Sequence, residues 1–91
     1  MALAFLFEFP GGRQEQFDQV LEKLQLGGKS PPGQLFHVDG PMEGGWRVVD
    51  VWESQEALDK FFQEKLGQAL QEAGLATPQP QVWSVHTLLM P

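Results

Sequence analysis

Residues 2–9, ALAFLFEF, set the strongest constraint on this chain. Leu3, Phe5, Phe7 and Phe9 alternate with Ala2, Ala4, Leu6 and Glu8. Successive side chains of a strand point to opposite faces, so this strand is apolar on both faces until Glu8. A strand of that kind belongs in the middle of a sheet covered on both sides. Pro10-Gly11-Gly12 ends it. With 91 residues the chain makes one small domain, 1–91. A domain of that size buries only about 60–65% of the surface its unfolded chain exposes. A chain this short, built around a doubly apolar strand, is therefore expected to find extra cover outside itself.

The rest of the chain supplies two helices and three more strands. From Arg13 to Leu26 the residues Phe17, Val20, Leu21 and Leu24 form one apolar stripe at helical spacing. Gly27-Gly28 follows as the stop, and Lys29 to Gly33 is a connector. Gln34 to Asp39 and Trp46 to Glu53 read as strands joined by a turn at Gly40 to Gly45, an antiparallel hairpin. Ser54 is placed to cap a long helix whose stripe runs through Leu58, Phe61, Phe62, Leu66, Ala69, Leu70 and Ala73, with Gly67 a point of bending or splitting. After the connector Thr77-Pro78-Gln79-Pro80, Gln81 to Leu89 is the last strand. The order β-α-β-β-α-β with right-handed crossovers gives an α+β, ferredoxin-like fold: a four-stranded antiparallel sheet in the order 4-1-3-2, with both helices on one face. The other face is left bare. A second copy is its simplest cover, and the apolar run from Val82 to Met90 points to the same homodimer.

Charge narrows the partners. Six Lys and Arg stand against twelve Asp and Glu, a formal net charge of −6, and the basic residues are scattered. Without a basic stripe, nucleic-acid binding has no electrostatic footprint and anionic membranes are disfavoured. No cysteine is present, which removes thiolate catalysis and Cys-ligated metals. The apolar N-terminus lacks a basic n-region and is interrupted by Glu8 and Pro10, so neither a signal peptide nor a membrane span is expected and a cytoplasmic protein is the default.

The hairpin FHVDGPMEGGWRVVDVWES, residues 36–54, holds the polar residues that could do chemistry. Trp46, Val48, Asp50 and Trp52 share one strand face. The turn spacing pairs residues whose numbers sum to about 85, which sets His37 opposite Val48, Leu35 opposite Asp50 and Asp39 opposite Trp46. His37, Asp39, Trp46, Asp50 and Trp52 then project the same way. As a pocket, Trp46 and Trp52 would stack a flat apolar ligand. His37 would serve as general base or hydrogen-bond donor, and Asp50 would orient it or hold a substrate hydroxyl. His86 on the last strand is a further candidate ligand contact. The structural reading of the same residues is a core Trp pair, an Asp that caps an amide or meets an Arg across a dimer, and a satisfied interior His. His37, His86 and Asp50 match an iron facial triad by type. On opposite edge strands, however, the two histidines stand about 14 Å apart, so no metal is expected unless a site built between subunits brings them together.

The element order, Phe9-Pro10-Gly11-Gly12, the strand Leu35-Phe36-His37-Val38 and above all Gly45-Trp46-Arg47-Val48-Val49-Asp50-Val51-Trp52-Glu53-Ser54 resemble the dimeric α+β barrel superfamily, the antibiotic-biosynthesis-monooxygenase-like proteins. The resemblance covers essentially the whole chain. It implies a homodimer whose sheets face one another as a barrel, with a flat, mostly apolar compound bound between sheet and helices. It also implies oxidation of that compound by O2 without a cofactor, or else a non-catalytic dimeric module that binds a ligand or is purely structural. The superfamily's haem-degrading branch uses an Asn, a Trp and a His on the second helix. This chain has no Asn, and residues 54–73 hold no His. The quinone-forming branch leans on Tyr, Asn, Trp and Arg, and Tyr is absent too. Whether the chain is an enzyme stays open at this point.

Overall fold

The computed structural model covers residues 1–91. The elements in chain order are β1 (Leu3–Pro10), α1 (Gln14–Leu24), β2 (Gln34–Met42), β3 (Gly45–Trp52), α2 (Gln55–Phe61), a π-helical segment (Phe62–Leu66), α3 (Gly67–Glu72) and β4 (Gln81–Ser84). The four strands are antiparallel and lie in the order β2-β3-β1-β4. This is the expected ferredoxin-like arrangement. β1 is central: Phe5 is buried on the helix side, and on the other face Ala4 is buried between its neighbours Val51 and Trp83. No helix is long and apolar enough to cross a membrane.

The hairpin differs from expectation in its turn. β2 does not stop at Asp39. It runs on through Gly40, Pro41 and Met42, which pair with Arg47, Trp46 and Gly45, leaving Glu43-Gly44 as a two-residue turn. Gly44 takes a positive φ of 78°, which glycine adopts freely. Pro41 is tolerated because β2 is an edge strand and its missing N–H interrupts no inner ladder. Paired residue numbers therefore sum to 87, as in His37 opposite Asp50 and Asp39 opposite Val48. The register moved by two residues, an even step, so every side chain stayed on its predicted face. Leu35 is not opposite Asp50. It sits in an irregularity between Gln34 and Phe36.

The turn is locked against the start of α1. The Gly11 N–H donates to the Gly44 carbonyl at 2.7 Å. A Cβ at Gly45 would stand 2.2 Å from the Phe9 carbonyl oxygen, so only glycine fits that contact. α1 buries Phe17, Val20 and Leu24 but leaves Leu21 half-exposed, a narrower stripe than the sequence suggests. The second helical run begins where expected: the Ser54 hydroxyl accepts from the Ala57 N–H at 3.1 Å. Its middle is a π segment rather than a kink. Gly67 closes that segment, where a Cβ would come within 3.0 Å of the Phe62 ring and carbonyl.

β4 is shorter than expected, ending at Ser84 instead of Leu89. The cause is its partner. Ser84 pairs with Leu3, the first residue of β1, and the Val85 N–H donates to the Ala2 carbonyl just beyond it. Residues 86–91 are exposed, Leu89 at 86%. On the sheet face away from the helices, Val38 is 48% exposed and Trp83 49%.

Candidate functional site

β3 presents Trp46, Val48, Asp50 and Trp52 to the helices, all four buried. The two tryptophans have different surroundings. Trp46 stacks on Phe17 with ring centroids 5.5 Å apart, and Phe17 meets Phe9 edge-on at 5.0 Å. This closes one end of the core, and the Trp46 Nε1 donor is buried there without a partner. Trp52 is fully buried, packs beside Phe61 at 5.7 Å, and its Nε1 donates to Asp50 Oδ2 over a long 3.5 Å.

Asp50 lies between those ends. Its Oδ1 is 2.6 Å from His37 Nδ1, and His37 Nε2 is 2.7 Å from Asp39 Oδ2. The observed register makes this possible, since a cross-strand pair on one face brings side chains together directly. Asp39, two residues from His37 on the same strand face, completes a carboxylate–imidazole–carboxylate row. The Asp50 side chain is 7% exposed and that of His37 34%. The hydrogen bond to Asp50 raises the His37 imidazole from 6.5 to about 9. Burial opposes the rise, and the charge of Asp50, the hydrogen bond to Asp39 and its charge add to it. At neutral pH the ring is an imidazolium and donates both N–H groups to carboxylates. It is therefore not a general base there. Asp50, whose Oδ2 holds only the long Trp52 contact, is the acceptor the site offers.

This row lines a cavity of about 820 Å³ between the sheet and the helices. That is room for a multi-ring compound by the usual size of ligand sites. Phe5 and Phe7 of β1 wall it from the sheet, and Phe61, Phe62 and Leu66 wall it from the second helical run. Extra backbone per turn in the π segment places Phe62 and Leu66 on that wall, and such segments recur at functional sites. Residues of the two connectors, among them Lys29, Ser30, Thr77 and Gln79, lie at its solvent edge.

The structure thus brings together three of the five predicted site residues: His37, Asp50 and Trp52. Trp46 shares their strand face but is absorbed into the Phe9–Phe17 cluster and does not line the cavity. His86 follows β4, is exposed, and bonds only Thr87 Oγ1 at 2.8 Å, apart from the others. The two carboxylates approach opposite nitrogens of one ring, and no group of three or more His, Cys, Asp or Glu side chains is arranged to hold a metal ion. The role of Asp39 was open to sequence reasoning, because residues two apart on a strand share a face. The walls from Phe62 and Leu66 were not, because they depend on the π segment.

Fold and cavity together define a ferredoxin-like protein with a ligand-sized space between sheet and helices. No family model and no curated protein matches the sequence. Solved structures do. The chain is similar to a putative antibiotic biosynthesis monooxygenase from Chloroflexus aurantiacus, with a TM-score of 0.70 at 15% identity, over 99% of this chain and 98% of that one. A putative antibiotic biosynthesis monooxygenase from Deinococcus radiodurans matches with a TM-score of 0.62 at 12% identity, over 100% and 98% of the two chains. SnoaB, a cofactor-independent oxygenase from Streptomyces nogalater, solved in a mutant form, matches with a TM-score of 0.64 at 15% identity, over 97% and 96%. This chain has the antibiotic-biosynthesis-monooxygenase-like fold that its sequence resembles.

Proposed function

We propose that the protein binds a flat, mostly apolar small molecule in the cavity above β1 and β3 and oxidises it with O2 without a cofactor. The observation that carries this reading is the aromatic-walled space of about 820 Å³ with Asp50 and His37 at its polar end. A fold shared with a cofactor-independent oxygenase supports it. In this reading Asp50 accepts the proton of a ring hydroxyl, and the electron-rich ring that results gives electrons to O2. His37 holds Asp50 in place and balances its charge, Asp39 fixes the imidazolium, and Trp52 forms the ring-shaped wall beside them. O2 consumption with a panel of phenols and quinols tests the chemistry, with Asp50→Asn and His37→Ala compared against the unaltered protein. Uptake that falls at least about tenfold in Asp50→Asn is expected, a conservative figure for a positioned acid–base group. Equal rates in all three proteins would remove these residues from any mechanism and leave a ligand-binding module.

The same reading includes a homodimer formed through the bare sheet face. Val38 and Trp83 on that face, and Leu88, Leu89 and Met90 after β4, are exposed apolar residues. Light scattering at micromolar concentration should give twice the 10.2 kDa chain mass, and Trp83→Asp should shift it toward the monomer. A monomer before mutation would contradict the dimer.

A further inference from the structure

The polar end of the cavity offers acceptors and has almost no donors to spare. Both His37 ring N–H groups are committed, one to Asp50 and one to Asp39. The Trp52 Nε1–H is given to Asp50, and the Gln55 amide to Asp59 at 2.9 Å. Trp46 Nε1, the one buried donor left over, faces the closed core and not the cavity. Of the other side-chain donors, the half-buried Gln34 amide of β2 lines the cavity, and Lys29, Ser30 and Thr77 belong to the connectors at the solvent edge. An anionic or carbonyl-only ligand would therefore meet one neutral amide donor, Gln34, on the strand wall and no uncommitted cationic one beside Asp50.

Asp50 has the opposite need. Its side chain is more than nine-tenths buried, lines the cavity, and leaves Oδ2 with a single contact at the limit of hydrogen-bond length. The row contains two carboxylates and one imidazolium, so one negative charge is left without a counterion. An incompletely paired charge in a low-dielectric site is costly. The adjoining walls are the faces and edges of Phe5, Phe7, Phe61 and Phe62, and aromatic faces attract organic cations. A chain of net charge −6 also draws cations toward it.

We infer that the cavity is a site for an aromatic organic cation, a ring compound bearing a protonated amine that donates to Asp50 Oδ2 while its rings lie against the phenylalanine walls. The inference rests on the cavity being a ligand site, as read under Proposed function, and takes Asp50 Oδ2 as the acceptor of the ligand's ammonium in place of a ring hydroxyl. An ammonium supplies both the missing donor and the missing positive charge. Its charge-assisted bond to a carboxylate is roughly twice as strong as a neutral one.

Three probes sharing one ring system test this: 1-naphthylmethylamine, 1-naphthylmethanol and 1-naphthoate, titrated calorimetrically into the full chain in about 0.15 M salt, where surface charges are screened. The amine should bind with one-to-one stoichiometry at least about tenfold tighter than the alcohol, a factor that one strengthened hydrogen bond supplies. Naphthoate should be the weakest. In Asp50→Asn the amine should fall to the affinity of the alcohol. An alcohol or carboxylate that binds as tightly as the amine overturns the inference but leaves the cavity reading standing. Binding by none of the three removes both. The ranking in the unaltered protein decides the matter even if the variant fails to fold, and a preference for the amine that survives Asp50→Asn places the cation elsewhere and also overturns the assignment.

Discussion

Trp46 and Trp52 stand six residues apart on the same face of β3, and both are buried. At the Trp46 end, Phe9 and Phe17 fill the space, the indole stacks, and its N–H is left without a partner. At the Trp52 end the indole N–H has an acceptor, and a cavity opens beside it. Strand position alone does not separate core from site. The difference comes from which helix residues lie opposite: a ring from α1 at one end, and at the other a helical run whose π segment stands off the sheet. A buried polar atom at the closed end is a tolerated cost, whereas at the open end it belongs to a connected row.

Four substitutions or conditions probe that contrast, from the largest effect to the smallest. Trp52→Ala should cost about 3–5 kcal/mol, the range for emptying a large aromatic from a core, measured by urea unfolding; a loss under about 1 kcal/mol would show that the cavity end contributes little packing. Asp50→Asn should cost about 1–3 kcal/mol, as for a charged hydrogen bond lost in a buried place. Nuclear magnetic resonance should then find His37 titrating near its ordinary value of about 6.5 and no longer near 9. An unmoved titration would detach His37 from Asp50. The third test is pH. Because the folded-state pKa of His37 is raised from 6.5 to about 9, its stabilising effect is complete below pH 6.5 and is lost as pH rises through 9. With His37 a third exposed, solvent screening reduces the loss to the order of 2 kcal/mol, read as a falling unfolding midpoint that His37→Gln should flatten. The smallest effect is expected from Trp46→Phe. Removing the orphan N–H offsets part of the lost packing, leaving a change of about 1 kcal/mol or less and ligand binding unaltered. A large loss of binding would join the two ends of β3 into one site.

Alternation along the strands made the sheet order and the shared face of His37, Asp39, Asp50 and Trp52 legible from sequence, because a period of two fixes the side of every residue. It does not fix position along the strand. Gly and Pro mark breaks and so put the turn at Gly40 to Gly45, yet an edge strand can carry both. The resulting shift hid the His37–Asp50 contact by two residues. The strand face groups Trp46 with Trp52, but whether a face is filled or hollow depends on the elements across from it, and neither Phe17 nor the π segment is visible from β3. The length of β4 is equally hidden from its own residues, since the ladder ends where β1 begins, at Leu3.

The π segment also controls phase. Each residue of an α-helix turns the chain by about 100°, so adding or removing one residue swings everything downstream through that angle. Phe62–Leu66 acts as a built-in offset that lets Leu58 and Phe61 before it, and Ala69 and Leu70 after it, all point into the same core. Deleting a single residue within 62–66 would let the run close as regular α-helix with Ala69 and Leu70 still facing the core, and would remove the extra backbone that sets Phe62 and Leu66 on the cavity wall.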